Sequence, residues 1–177
     1  MRQTLFLAAC TAVVSTSAAQ AQEAGATPVP AAVGALAGCW QGSGEVMGKA
    51  VSIALAAKPV ALGAMFTIDA DSIAQADPTD RYGAHLTLGG TKDGGIAGYW
   101  ADSFGGDYTA TGHGEVRPSG FDVMYDYGDN AFINRWRIEG AQSANERLNW
   151  QIVARSKTSG TEKPFAHYTL SRTACPQ

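Results

Sequence analysis

The residues that could do chemistry here are few and scattered. His85, His113 and His167 are widely separated and no Cys-x-x-Cys or His-x-x-x-His spacing occurs, so a metal site has little support. Ala101-Asp102-Ser103-Phe104-Gly105 resembles a degenerate nucleophile elbow. That device needs a strand-to-helix turn, whereas the segment after it reads as another strand. The run from Gly89 to Gly95 is rich in glycine but lacks the Gly-Lys-Ser/Thr of a phosphate loop, and no helix follows; it reads as a hairpin. Asp102, Asp107 and Glu115 could each act as a general acid, but none can be paired with a base from sequence. No catalytic residue is therefore expected. A more suggestive group is Tyr99-Trp100-Ala101-Asp102-Ser103 with Tyr108 beyond Gly105-Gly106. Aromatic rings and a carboxylate at one hairpin tip suit the mouth of a ligand cavity. They equally suit a turn in which Asp102 and Ser103 bond to the backbone.

Composition limits the partners. The 177 residues carry 13 Lys+Arg against 16 Asp+Glu, a formal charge of -3, and only 16% charged residues. A nucleic-acid binder needs a basic face to neutralise phosphates, so polymeric anions are excluded as expected partners. Arg2, the apolar run Leu5 to Val14 and Ala19-Gln20-Ala21 read as the three regions of a secretory signal over residues 1–21. Leu7-Ala8-Ala9-Cys10 offers a competing lipoprotein reading, with too few residues before the cysteine for an inserted apolar region. No other stretch approaches the length of a spanning helix, so a soluble, exported mature chain, periplasmic or extracellular, is expected. It would keep Cys39 and Cys175, and an oxidising compartment favours pairing them as one disulfide.

Residues 22–37 are rich in Ala, Pro and Gly and suit a linker ending in a helical turn near Pro30 to Ala37. From Gly38 onward, to residue 177, helical periodicity is absent. About ten short segments of period-two alternation follow one another, split by Gly, Asp, Asn and Pro clusters. They are Cys39 to Val46, Lys49 to Ala57, Leu62 to Ala70, Tyr82 to Leu88, Gly94 to Asp102, Gly106 to Val116, Phe121 to Tyr127, Ala131 to Glu139, Arg147 to Ser156 and Phe165 to Thr173. Turn signals at Lys92-Asp93-Gly94, Pro118-Ser119-Gly120 and Gly128-Asp129-Asn130 make consecutive segments antiparallel neighbours. An up-and-down order with open edges is an aggregation hazard, so the expected fold is all-β, a closed antiparallel barrel with a short N-terminal helical turn.

Alternation sorts the faces. Phe121, Val123, Tyr125 and Tyr127 share one side, as do Phe132, Asn134, Trp136 and Ile138, and then Leu148, Trp150 and Ile152. Such an inner face suits a small-ligand cavity with Trp100, Tyr108, Tyr125, Tyr127, Trp136 and Trp150 as walls and Asn134 as an orienting amide. It equally suits a solidly filled barrel core.

Gly38-Cys39-Trp40 at the start of the first segment, with Arg172 in the last, resembles the calycin pattern of lipocalins and their relatives. The longer run Gly38-Cys39-Trp40-Gln41-Gly42-Ser43-Gly44 is similar to the opening of nitrobindin-like and lipocalin-like bacterial barrels. The resemblance implies that Gly38, Trp40 and Arg172 are structural, the guanidinium covering the indole at the closed end, where cation–π stacking would seal the floor. It also implies a small apolar or amphipathic ligand, or, as in nitrobindins, haem held by a histidine near the C-terminal end, here His167. Strand parity turns His167 outward if Arg172 points inward, unless a β-bulge intervenes, so no cofactor is the leading expectation. Three readings result: a non-catalytic ligand-binding barrel, a haem barrel, and a filled barrel acting as an interaction module.

Overall fold

The computed structural model describes residues 25–140 and 146–176. The expected signal over residues 1–21 and the first residues of the expected linker lie outside them. A short helix, α1 (Ala31–Gly34), precedes ten strands: β1 (Gly38–Val46), β2 (Lys49–Val60), β3 (Met65–Ala74), β4 (Arg81–Gly90), β5 (Ile96–Asp102), β6 (Ala110–Arg117), β7 (Gly120–Tyr127), β8 (Asn130–Glu139), β9 (Arg147–Ser156) and β10 (Glu162–Thr173). Each strand pairs antiparallel with its neighbours in sequence, and β1 closes on β10. Closure pairs both edges, which leaves no open edge to recruit another chain. No described helix is long and apolar enough to cross a membrane.

Period-two alternation is the force behind this arrangement. In β2, Val51, Ile53, Leu55 and Ala57 are buried while their chain neighbours are exposed, which fixes register because a one-residue slip would turn the whole apolar set to water. The connections follow turn chemistry: Met47 and Gly48 both take positive φ, 50° and 82°, between β1 and β2, the twist that a two-residue hairpin needs. Two expected strands start later than alternation suggested. Leu62 belongs to a tight turn over Ala61–Gly63, where Ala61 and Leu62 take left-handed φ of 50° and 58°. The third strand starts only at Met65, because Val60 pairs with Met65. Likewise Gly106–Tyr108 form a single helical turn, and the sixth strand begins at Ala110. Periodicity of apolar residues does not register where the chain must reverse.

One end of the barrel is closed. Val33 and Leu36, from α1 and the residues just after it, are fully buried beside Trp40. Trp40 pairs with Leu55 and with Arg172 across the closing seam, and its Nε1 donates to the Leu36 carbonyl at 2.8 Å. The Arg172 guanidinium lies 4.2 Å over the Trp40 ring. It donates to the carbonyls of Ala37 and Ala35 at 2.5 and 2.8 Å, and its Nε donates to Glu146. One arginine thus satisfies carbonyls orphaned past the end of α1 while covering the indole. Gly38 is required here: its φ is 114°, and a Cβ on it would stand 3.0 Å from the guanidinium. Cys39 and Cys175 form the expected disulfide, with Cα atoms 5.1 Å apart.

Candidate functional site

The middle of the barrel is filled by stacked rings. Trp136 on β8 lies directly opposite Trp150 on β9 and Phe121 on β7. The two indoles stack with centroids 4.2 Å apart at 13°, and Phe121 stacks on Trp136 at 5.8 Å. Beside them Asn134, only 1% exposed, accepts a hydrogen bond from Trp150 Nε1 at 2.8 Å. Asn134 Nδ2, the Tyr125 hydroxyl and Trp136 Nε1 are buried with no protein partner. An unmade buried donor costs about 1–3 kcal/mol, so each asks for an acceptor that the protein does not supply. Room for the Tyr125 ring comes from glycine: a Cβ on Gly98 would stand 2.8 Å from its hydroxyl, and one on Gly112 would meet its ring.

Above this layer, at the end that α1 does not cover, the interior is lined by aromatic rings. Trp100 on β5 contacts Tyr125 at 5.5 Å and Trp150 at 6.3 Å. Two residues further along β5, Asp102 accepts from Trp100 Nε1 at 3.2 Å and from the Tyr82 hydroxyl at 3.0 Å. Its second oxygen accepts from the Phe104 backbone N–H at 2.9 Å. Asp102 pairs with Ala84 and shares the inward parity of Trp100. Rings run around the mouth in an unbroken arc: Tyr82 to Phe104 at 5.6 Å, Phe104 to Tyr108 at 5.6 Å, Tyr108 to Tyr127 at 5.9 Å, Tyr127 to Phe132 at 6.1 Å and Phe132 to Phe165 at 5.1 Å. Phe104 is 68% and Tyr108 43% exposed.

Burial, and for Tyr82 the Asp102 carboxylate beside it, raises the phenol pKa of Tyr82 and Tyr125, and burial pushes Tyr168 up to about 12. All three stay neutral at ordinary pH, as hydrogen-bonding hydroxyls on apolar rings.

The expected cavity residues therefore fall in two groups. Tyr125, Asn134, Trp136 and Trp150 meet in the packed middle, while Trp100, Tyr108 and Tyr127 belong to the mouth. Asp102 braces the turn through one oxygen, as expected of a turn residue, and its other oxygen accepts from the Trp100 and Tyr82 rings. Ser103 is occupied locally: its hydroxyl accepts from Gly83 N–H at 3.3 Å. Tyr82, Phe165 and Tyr168 were not anticipated as site residues. Tyr82 shares inward parity with Leu86, a signal open to sequence reading. Phe165 has none, because it sits where the register shifts between Pro164 and Ala166.

That bulge lies on the far side of Ala166 from His167, so parity from Arg172 back to His167 is undisturbed. His167 is exposed and faces outward, opposite Glu45 and Gln151. It borders a depression of about 420 Å³ on the outer wall, whose Arg135 and Arg137 are already paired with Glu162 and Asp122. His167 therefore does not fit an axial ligand for haem inside the barrel. Among the described residues no group of His, Cys, Asp or Glu is gathered as a metal ion would require.

No family model and no curated protein matches the sequence. Among solved structures the chain is similar to the S-type phycobiliprotein lyase from Guillardia theta, with a TM-score of 0.54 and 12% identity over 81% of this chain and 92% of that one. At such identity the likeness is one of fold alone, a closed antiparallel barrel.

Proposed function

We propose that this chain is an exported, non-catalytic barrel of the lipocalin-like or nitrobindin-like kind that binds a small apolar or amphipathic molecule in its aromatic mouth. The observation that carries the reading is the arc of rings around Asp102, set above two buried, unpartnered donors, the Tyr125 hydroxyl and Asn134 Nδ2. Rings supply apolar area at low entropic cost, and a few convergent polar groups fix orientation, the composition of small-molecule sites. Exposed apolar rings gathered at one place mark a contact surface. Export is supported by the signal-like sequence of residues 1–21 and by the disulfide, which favours an oxidising compartment.

Titration with Nile red, a neutral probe that brightens in apolar surroundings, tests the reading. Saturable one-to-one binding is expected, weakened about tenfold by Trp100→Ala, roughly the loss of one large ring's buried area. If the folded protein leaves the emission of the probe unchanged, the mouth is no ligand site and the filled-barrel interaction module becomes the better reading.

A further inference from the structure

We infer that the ligand of this mouth is a cation: an amphipathic ammonium compound whose charged head lies against Asp102 and whose apolar part lies among the rings. The inference rests on the ligand-binding reading above and adds the charge of the ligand to it.

Asp102 accepts three hydrogen bonds, from Tyr82, Trp100 and the Phe104 backbone. An ionised carboxylate offers about four acceptor sites; both ring donors fall on Oδ2, so the capacity that remains is on Oδ1, beside the Phe104 N–H. Among the described residues it is in no salt bridge: the carboxylates that are paired with a base are Asp69, Asp80, Glu115, Asp122, Asp126, Glu146 and Glu162. A half-buried carboxylate with dipolar donors but no cation is a site whose charge is left for a ligand to balance. Trp100 and Tyr82 turn their polar edges to the carboxylate through those hydrogen bonds, and the exposed rings of Phe104 and Tyr108 next to Tyr82 supply faces that attract a cation brought close to them. An anion would meet that carboxylate, with which no base is paired among the described residues.

The connections at this end carry the same sign. Asp77, Asp107 and Asp129 stand in them without a salt bridge among the described residues, Asp80 is held by Lys49 at 2.8 Å, and the one base in these connections, Lys157, is already paired with Asp126 at 3.2 Å. Screening over about 8 Å at physiological salt makes these loops steering groups for an approaching cation, not binding groups.

Displacement of Nile red by decyltrimethylammonium, decan-1-ol and decanoate, each below its micelle concentration, reads the preference at constant chain length. The ammonium compound is expected to displace the probe at a concentration about tenfold lower than decanoate, with decan-1-ol between them. Asp102→Asn keeps a carbonyl oxygen for the turn and removes the charge. It should bring the three displacers within about twofold of one another, each displacement being read against the variant's own affinity for Nile red. Tyr82→Phe keeps the charge and should keep the preference. Equal displacement by decanoate, or a preference that survives in folded Asp102→Asn protein, overturns the inference and leaves the site reading intact. Failure of Nile red to bind the wild-type protein removes the site, and the inference with it.

Discussion

At the closed end of the barrel every polar group of the seal has a partner inside the protein. Trp40 donates to Leu36, and Arg172 spends its guanidinium on Ala35, Ala37 and Glu146 while covering the Trp40 ring. At the open end an aromatic ring and a charge also meet, with the opposite outcome. Asp102 has no cationic partner among the described residues, the hydroxyl of Tyr125 beneath it has no partner, and Phe104 and Tyr108 face water. The two ends share their chemistry and differ in saturation. A saturated cluster is fully explained by stability. An unsaturated one costs stability where it stands, and its retention points to an occupant.

If that contrast is right, damage at the closed end should cost stability and damage at the open end should cost binding. The largest effect is expected from the disulfide. Cys39→Ser with Cys175→Ser should lower stability by up to about 5 kcal/mol, the loop-closure entropy released by cutting a covalent link across 136 positions. Denaturant unfolding measures it, and the folded fraction should still bind Nile red. Next, Trp40→Ala should cost about 3 to 5 kcal/mol and Arg172→Ala less. Their double-mutant cycle should show marked coupling, and simple additivity would remove the stacked pair from the account.

A smaller effect is expected in the middle layer. Asn134→Leu strands the Trp150 indole N–H, at about 1 to 3 kcal/mol of stability by denaturant unfolding. It also deletes an unpartnered amide, so it should weaken displacers bearing an acceptor oxygen, such as decan-1-ol, more than Nile red. Smallest in stability is Phe104→Ala, within about 0.5 kcal/mol of wild type, although loss of its apolar area from the mouth should weaken Nile red about fivefold. A Phe104→Ala variant that unfolds easily and binds normally would reverse the contrast between the ends.

The barrel was legible in the sequence because burial on one face imposes a period of two, and ten such segments with turn residues between them have few ways to avoid open edges. The reversals at Leu62 and at Gly106–Tyr108 were not, because left-handed or helical turn geometry leaves no mark on the apolar pattern there. Parity also placed Asn134, Trp136 and Trp150 on one inner face. It carries no information on depth, and depth is what separates the stacked Trp136 and Trp150 from the exposed Tyr108. Phe165 was hidden for another reason. The bulge at its own position breaks the alternation that would have to reveal it, and turns its ring onto Phe132.

The four tryptophans are distributed along the barrel axis: Trp40 at the floor, Trp136 and Trp150 in the packed middle, and Trp100 at the mouth. Their indole N–H signals, assigned by single Trp→Phe variants, therefore report separately on each level in a nitrogen–proton NMR titration with decan-1-ol. A ligand seated in the mouth shifts Trp100 most, Trp150 and Trp136 less, and leaves Trp40 unmoved. A titration that shifts Trp40 as much as Trp100, or that moves none of the four, contradicts an open end built for a ligand and a closed end built for stability.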